Sequence, residues 1–161
     1  METKAMLELS IPGLRAYQIR HLVFDFNGTL AVDGILIPGI TKRIITLAQQ
    51  LQTHILTSDT HGTVTSQMAG LPVNITILTS KNHTQQKAEF VEKLGADGTI
   101  AIGNGSNDAA MLAKAAIGIA LIQQEGASAV TISSADLVFT DVFDAVDALI
   151  HPQRLVASLR K

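Results

Sequence analysis

The 161-residue chain contains no cysteine, which removes disulfides, thiol nucleophiles and Cys-ligated zinc from consideration. A cysteine-free chain also fits a cytosolic protein. Charged residues make up only 16% of the chain against 47% hydrophobic ones, a balance that can sustain a core and argues against disorder. No apolar run reaches the roughly 18 residues needed to span a bilayer. The first residues mix Glu2, Lys4 and Glu8 with apolar ones and lack the core of a signal peptide. The expectation is therefore a soluble, cytoplasmic chain without a membrane partner. The formal net charge is −2, and the Lys and Arg residues are scattered. That speaks against a nucleic-acid surface but leaves room for a small anionic ligand.

What is present is an alternation of short apolar runs with longer amphipathic ones. The run HLVFDF over 21–26 reads as a buried strand that stops at Asn27-Gly28. Asp33-Gly34 separates Leu30-Ala31-Val32 from Ile35-Leu36-Ile37, which predicts a small hairpin. A helix follows from Pro38-Gly39 to about Leu51, with Ile40, Ile44, Leu47 and Leu51 on one face. Further strands are expected over 54–57, 73–78, 99–102, 117–122 and 137–140. Helices are expected over about 60–69, 84–94, 109–115, 126–133 and 142–150, with a break near Pro152 and a tail that turns helical again. Strict alternation of strand and helix implies a parallel sheet covered on both faces. In such sheets ligands bind past the carboxyl ends of the strands. No repeat or linker divides the chain, and one domain is expected over 1–161.

Three segments lie just past strands: Asp25-Phe26-Asn27, Thr57-Ser58-Asp59, and 104–108. Asp25 is an acid ending an apolar strand, where desolvation is costly unless a cation or donors face it. Asn27-Gly28-Thr29 turns the chain and offers backbone N–H groups to an anion. The loop GNGSND places Asn104 and Asp108 near the same sheet edge. Mg²⁺ usually takes one or two carboxylates, several waters and phosphate oxygens, which Asp25 and Asp108 with nearby amide oxygens could supply. Alternatively, Asn107 or Asp108 simply caps the next helix, a role compatible with metal binding. GNGSND lacks the third glycine of a dinucleotide fingerprint. The hydroxyl of Thr57 could grip phosphate, and Lys87 could neutralise nucleophile and phosphoryl group, with Lys81 competing for that role. Lys42, Lys93 and Lys114 read as surface residues. The five histidines have no zinc-ligand spacing, and only His61, close behind Asp59, is expected near the pocket.

The order DFNGTL, LTSD, QQKAEFVEKLG and AIGNGSNDAAML resembles the four motifs of the haloacid-dehalogenase (HAD) superfamily. Within it, the chain looks most like a soluble, stand-alone phosphorylation domain of P-type ATPases. The resemblance implies a three-layer α/β/α Rossmann-like fold with a central parallel sheet, a flap hairpin and no cap domain, its core spanning about 18–150. It also implies Asp25 as nucleophile and Thr57 and Lys87 as phosphate-binding residues, with Asp59 trailing the second motif. Gly28, Thr29 and Ser58 would add substrate contacts, and Asp25, Asn27, Asn104 and Asp108 would hold Mg²⁺. The partner would be a small phosphorylated substrate or a phosphoprotein. Two departures stand out. Most HAD phosphatases carry an acid/base aspartate two residues after the nucleophile, where this chain has Asn27. An amide cannot shuttle a proton at neutral pH, so slow turnover is expected. The fourth motif has Asn104 where Gly-Asp is common, which weakens metal binding. Pumping is excluded, because the short interval between Asp25 and Thr57 leaves no room for a nucleotide-binding domain. An uncapped site would accept a bulky substrate or borrow cover from a second subunit in a homo-oligomer. A HAD-like phosphate-binding or regulatory module with little turnover is the rival reading. A dehalogenase or phosphonate-cleaving enzyme is a more distant third.

Overall fold

The computed structural model describes residues 6–59, 62–79 and 81–161. Its centre is a strand of five residues, β3 (His21–Asp25), preceded by an antiparallel ribbon of β1 (Leu7–Ser10) and β2 (Ala16–Ile19). The ribbon falls before the first strand expected from sequence. Its residues Leu7, Leu9 and Ile11 are buried in the main apolar cluster, so the core reaches further toward the N-terminus than residue 18. After β3 come β4 (Ala31–Val32) and β5 (Ile35–Leu36), which form the expected antiparallel hairpin. Asp33 and Gly34 at its tip both have positive φ, 52° and 76°, as a two-residue turn matched to strand twist requires.

The next elements are α1 (Ile40–Ala48), β6 (Gln52–Thr57), α2 (Thr63–Gln67), β7 (Val73–Ile77) and α3 (His83–Leu94). Then follow β8 (Thr99–Gly103), a 3₁₀ turn (Ser106–Asp108), α4 (Ala109–Lys114) and β9 (Ile117–Leu121). The chain ends with α5 (Ala129–Ser134), β10 (Leu137–Phe139), α6 (Val142–Ile150) and α7 (Gln153–Leu159). The expected start of α2 near Thr60 and the position of His61 lie outside the described residues. The fifth helix begins three residues later than the glycine expected to open it. Gly126 has φ 72° and the Ser128 N–H donates to the Asn104 carbonyl, which holds 126–128 as a loop against the fourth motif.

Six strands form one sheet in the order β10-β9-β8-β3-β6-β7, every pair parallel. Period-two alternation divides their side chains between two cores. Leu22 and Phe24 of β3, Ile100 and Ile102 of β8, and Ile117 and Ile119 of β9 pack with α1 and α6 through Ile40, Ile44, Val146 and Leu149. Val23, Ala101 and Ala120 face the other way, onto Val91 of α3 and Met111 and Leu112 of α4. Burial on both faces explains why these strands read as unbroken apolar runs. Asp25 shares the face of Val23 and so points beneath α3. The helix α3 is capped by Asn82, whose side chain accepts from the Gln85 N–H. Its inward face carries Lys87 one turn before Val91, and both are buried. This lysine occupies a position where helical periodicity calls for an apolar residue. The sheet and its helices give the three-layer α/β/α arrangement, and between Asp25 and the start of β6 the chain makes only the hairpin and α1. Among the described residues no helix is long and apolar enough to cross a membrane.

Candidate active site

Asp25 ends β3, and the chain reverses at once. The Phe26 carbonyl accepts the N–H groups of Thr29, Leu30 and Ala31, while the Gly28 N–H donates to Ala31. Gly28 has φ 78°, and a Cβ there would lie 2.2 Å from Asn104 Nδ2. Only glycine allows both that backbone conformation and that approach. The turn carries Thr29 fully inward, with its Oγ1 3.3 Å from Asp25 Oδ2 and 3.4 Å from Asn104 Oδ1. One hydroxyl has one proton, so Thr29 serves one of these oxygens at a time, and the two converge on the same space.

Beneath α3, Lys87 Nζ lies 2.8 Å from Asp25 Oδ1 and 2.7 Å from Asp108 Oδ1, with the lysine only 2% exposed. Asp108 is completely buried, and its Oδ2 accepts the backbone N–H groups of Asn104 and Gly105, both at 3.0 Å. A Cβ on Gly103 would sit 2.6 Å from the Asp108 carboxyl carbon, so the glycine ending β8 makes the space for this acid. Asn104 is tied down further by its own amide, which donates to the Gly126 carbonyl at 3.1 Å. Two carboxylates and one ammonium leave a net negative charge in a buried cluster. Burial, reinforced by the negative charge of Asp108 and opposed by Lys87, pushes the Asp25 carboxyl up to about 7. Burial disfavours the Lys87 ammonium, but the two carboxylates outweigh it and hold its pKa above the ordinary value.

The structure brings Asp25, Gly28, Thr29, Lys87, Asn104 and Asp108 into one cluster at the carboxyl ends of β3 and β8. Thr57 ends β6 one residue beyond Leu56, the β-pairing partner of Asp25. It is buried, and its hydroxyl accepts the Asp59 N–H at 3.1 Å. Ser58 is exposed beside it. Asp59 caps α2, its carboxylate accepting from the Val64 N–H and the Thr63 hydroxyl. Asn27 is exposed at the mouth of the site. Lys81 is exposed, and Lys87 is the lysine that reaches the carboxylates. Lys42, Lys93 and Lys114 are exposed as expected.

Asp108, which the sequence places among the metal ligands, is closed to solvent, and its oxygens meet Lys87 and two backbone N–H groups. Gln123, just past β9, was not anticipated at all. Its side-chain amide donates to the carbonyls of Gly28 at 3.3 Å and Thr29 at 3.0 Å, while its oxygen accepts the Val142 N–H at 2.8 Å. A glutamine in a loop follows no periodicity, so no sequence signal marks it.

Among the described residues, no group of three or more His, Asp or Glu side chains could cage a metal. Mg²⁺ needs no such cage, since it usually retains waters and takes one or two carboxylates plus substrate oxygens. The Asp25 carboxylate and the Asn104 amide oxygen, converging past Thr29, are hard oxygen donors of the right kind. A divalent cation would also offset the negative charge of the cluster. The donor set fits the ion.

No protein-family model matches the chain. An uncharacterized protein of Methanocaldococcus jannaschii is 49% identical over 61 residues, which is 38% of this chain and 66% of that relative. The chain thus spans slightly less than two thirds of the length of this relative. Among solved structures, a protein of Streptomyces avermitilis assigned as a HAD family hydrolase superposes over 88% of this chain and 84% of its own, at 20% identity and a TM-score of 0.62. The 3-deoxy-D-manno-octulosonate 8-phosphate phosphatase of Moraxella catarrhalis, solved with magnesium and phosphate ions, matches 88% of this chain and 87% of its own, at 17% identity and a TM-score of 0.63. The catalytic domain of the CPx-ATPase CopB-B matches 71% of this chain and 46% of its own, at 24% identity and a TM-score of 0.60. The fold is therefore that of the HAD hydrolases, shared by the Moraxella catarrhalis phosphatase and by the catalytic domain of a CPx-ATPase.

Proposed function

We propose that the chain is a Mg²⁺-dependent phosphohydrolase that works through an aspartyl-phosphate at Asp25. The observation that carries this reading is the buried Asp25–Lys87–Asp108 cluster, with the Asn104 amide oxygen converging beside it. Such a cluster is costly as pure architecture, because buried ion pairs rarely stabilise a fold relative to apolar packing. It is well suited to receiving a phosphoryl group. When bound, the cation neutralises phosphate charge and lets a carboxylate approach a dianion.

Asp25 is the nucleophile in its ionised form, and Lys87 favours that form against burial. A carboxylate oxygen of Asp25 attacks phosphorus in line, the P–O bond to the leaving group breaks, and the departing oxygen takes a proton from water. Lys87, the Thr57 hydroxyl and the backbone after Asp25 orient the phosphoryl oxygens. Water then attacks the acyl phosphate at phosphorus, which releases inorganic phosphate and restores the Asp25 carboxylate. Asn27 stands where an acid would protonate the leaving group, so both steps lack general acid–base assistance, worth about 10²–10⁴-fold. A small phosphorylated metabolite or a phosphoprotein suits the uncapped site. Mg²⁺-dependent release of nitrophenol from p-nitrophenyl phosphate, lost by at least a thousandfold in Asp25→Asn, is the expected result. An unchanged rate in that variant would sink the proposal.

The exposed amide of Asn27 also favours a second reading, a phosphate-binding module with little turnover. Beryllofluoride with Mg²⁺ separates the two. Thermal stabilisation by the pair, abolished in Asp25→Asn, marks a competent phosphorylation site, and its absence favours the module.

A further inference from the structure

Gln123 lies outside all four motifs, yet its side chain ties the turn after Asp25 to the start of α6. Three of its four hydrogen-bonding positions are used. Two N–H bonds run to the Gly28 and Thr29 carbonyls, and one oxygen receives the first backbone N–H of α6. The two ends do different work. The helix already has a capping residue, since Asp141 accepts the Phe143 N–H, and Gln123 adds a second acceptor there. The N–H end, by contrast, holds the turn that carries Thr29 between Asp25 and Asn104. That turn has little freedom to spare: Gly28 is pressed against the Asn104 side chain, and Thr29 reaches two functional oxygens at 3.3 and 3.4 Å. Releasing the two carbonyls would let residues 27–30 move away from Asn104. The Thr29 hydroxyl and the backbone N–H groups beside the nucleophile would move with them.

We infer that Gln123 is a positioning residue for phosphoryl transfer, acting through its two donors to the 28–29 carbonyls rather than through its cap on α6. This inference rests on the phosphohydrolase reading for its effect on rate, but not for its effect on the turn. Gln123→Glu separates the two ends, because a carboxylate still accepts from Val142 but cannot donate to either carbonyl. Gln123→Met removes both.

The test combines hydrogen exchange on the metal-free protein with steady-state hydrolysis of p-nitrophenyl phosphate in Mg²⁺. In Gln123→Glu, exchange of the Thr29, Leu30 and Ala31 N–H groups, which donate to Phe26, is expected to speed up about tenfold. Exchange in α6 should stay within twofold, and Tm should stay close to wild type. The kcat should fall by about 10²-fold, the size expected when a reacting group is misplaced by an ångström, with KM changed less than threefold. Gln123→Met should show the same turn and rate effects and, in addition, faster exchange in the first turn of α6. Unchanged exchange at 29–31 in Gln123→Glu overturns the inference, as does a change confined to α6. A wild-type protein without hydrolysis refutes the phosphohydrolase reading alone, and the exchange measurement then still decides the role of Gln123 in the turn.

Discussion

Replacing Lys87 by methionine probes the electrostatics of the buried cluster most directly. The variant keeps most of the side-chain length on the inner face of α3 but removes the ammonium that touches both Asp25 Oδ1 and Asp108 Oδ1. Removing one partner from a buried ion pair costs about 3–5 kcal/mol, because the remaining charge is left uncompensated. For a chain of this size each kcal/mol shifts Tm by roughly 2–4 °C, so Lys87→Met should melt roughly 6–20 °C below wild type at pH 8 without Mg²⁺. The deficit should shrink at pH 5. There the Asp25 carboxyl, pushed up to about 7, is already protonated in the folded protein, and the lysine has less charge to balance. Urea unfolding at the two pH values, read as midpoint at constant m-value, gives the comparison. A loss below about 1 kcal/mol at pH 8, or an equal loss at both pH values, would refute the electrostatic reading of the cluster.

Three further outcomes follow from the same geometry. A carboxyl raised to about 7 when folded and near 3.9 when unfolded makes the native state bind the extra proton between those values. Stability of the metal-free protein is therefore greatest below about pH 4 from this group and is lost as pH rises through about 7, so the urea midpoint should fall from pH 5 to pH 8 and flatten in Asp25→Asn. Gly28→Ala combines a φ of 78° with a Cβ 2.2 Å from Asn104 Nδ2, so it should cost about 1–3 kcal/mol in urea unfolding and abolish hydrolysis. A variant as stable and active as wild type would show that the turn tolerates movement. Asn27→Asp supplies the missing acid at an exposed position and should raise kcat at least about tenfold toward p-nitrophenyl phosphate. A rate that stays flat would mean that leaving-group protonation does not limit turnover.

Much of the architecture is legible in the chain because it depends on local pattern. The parallel sheet announces itself through runs such as HLVFD and TIAIG that are apolar on both faces. The hairpin is fixed by Asp33-Gly34. Asp25, Thr57 and the 104–108 loop stand out in the sequence because strand ends concentrate chemistry in this class of sheet, whereas Lys87, inside α3, is marked only by the motif resemblance. Features governed by contacts across the molecule are harder to see. The alternation of LELS is real, but four residues before Pro12-Gly13 give a weak period, and only packing under the sheet shows it to be a strand. The late start of α5 follows from a bond between Ser128 and the Asn104 carbonyl, which no helix-start rule contains. Asp108 reads in sequence as a metal ligand, and its engagement with Lys87 and two backbone N–H groups shows only in the folded chain. Gln123 acts on residues far away in sequence, and nothing local distinguishes it from Gln124.

The first strand of the parallel sheet to leave the ribosome stands in the sheet's middle, flanked by β6 on one side and β8 on the other. A nascent chain that has reached β7 can zip three strands together, but one flank of β3 stays bare until β8 emerges. Asp25 is translated before Asp108 and meets it only after that flank is filled, so the half-made molecule carries the Asp25 carboxylate without Asp108 and an apolar edge open to other chains. Translation pauses or premature stops before β8 would therefore yield sticky fragments, not smaller folded domains.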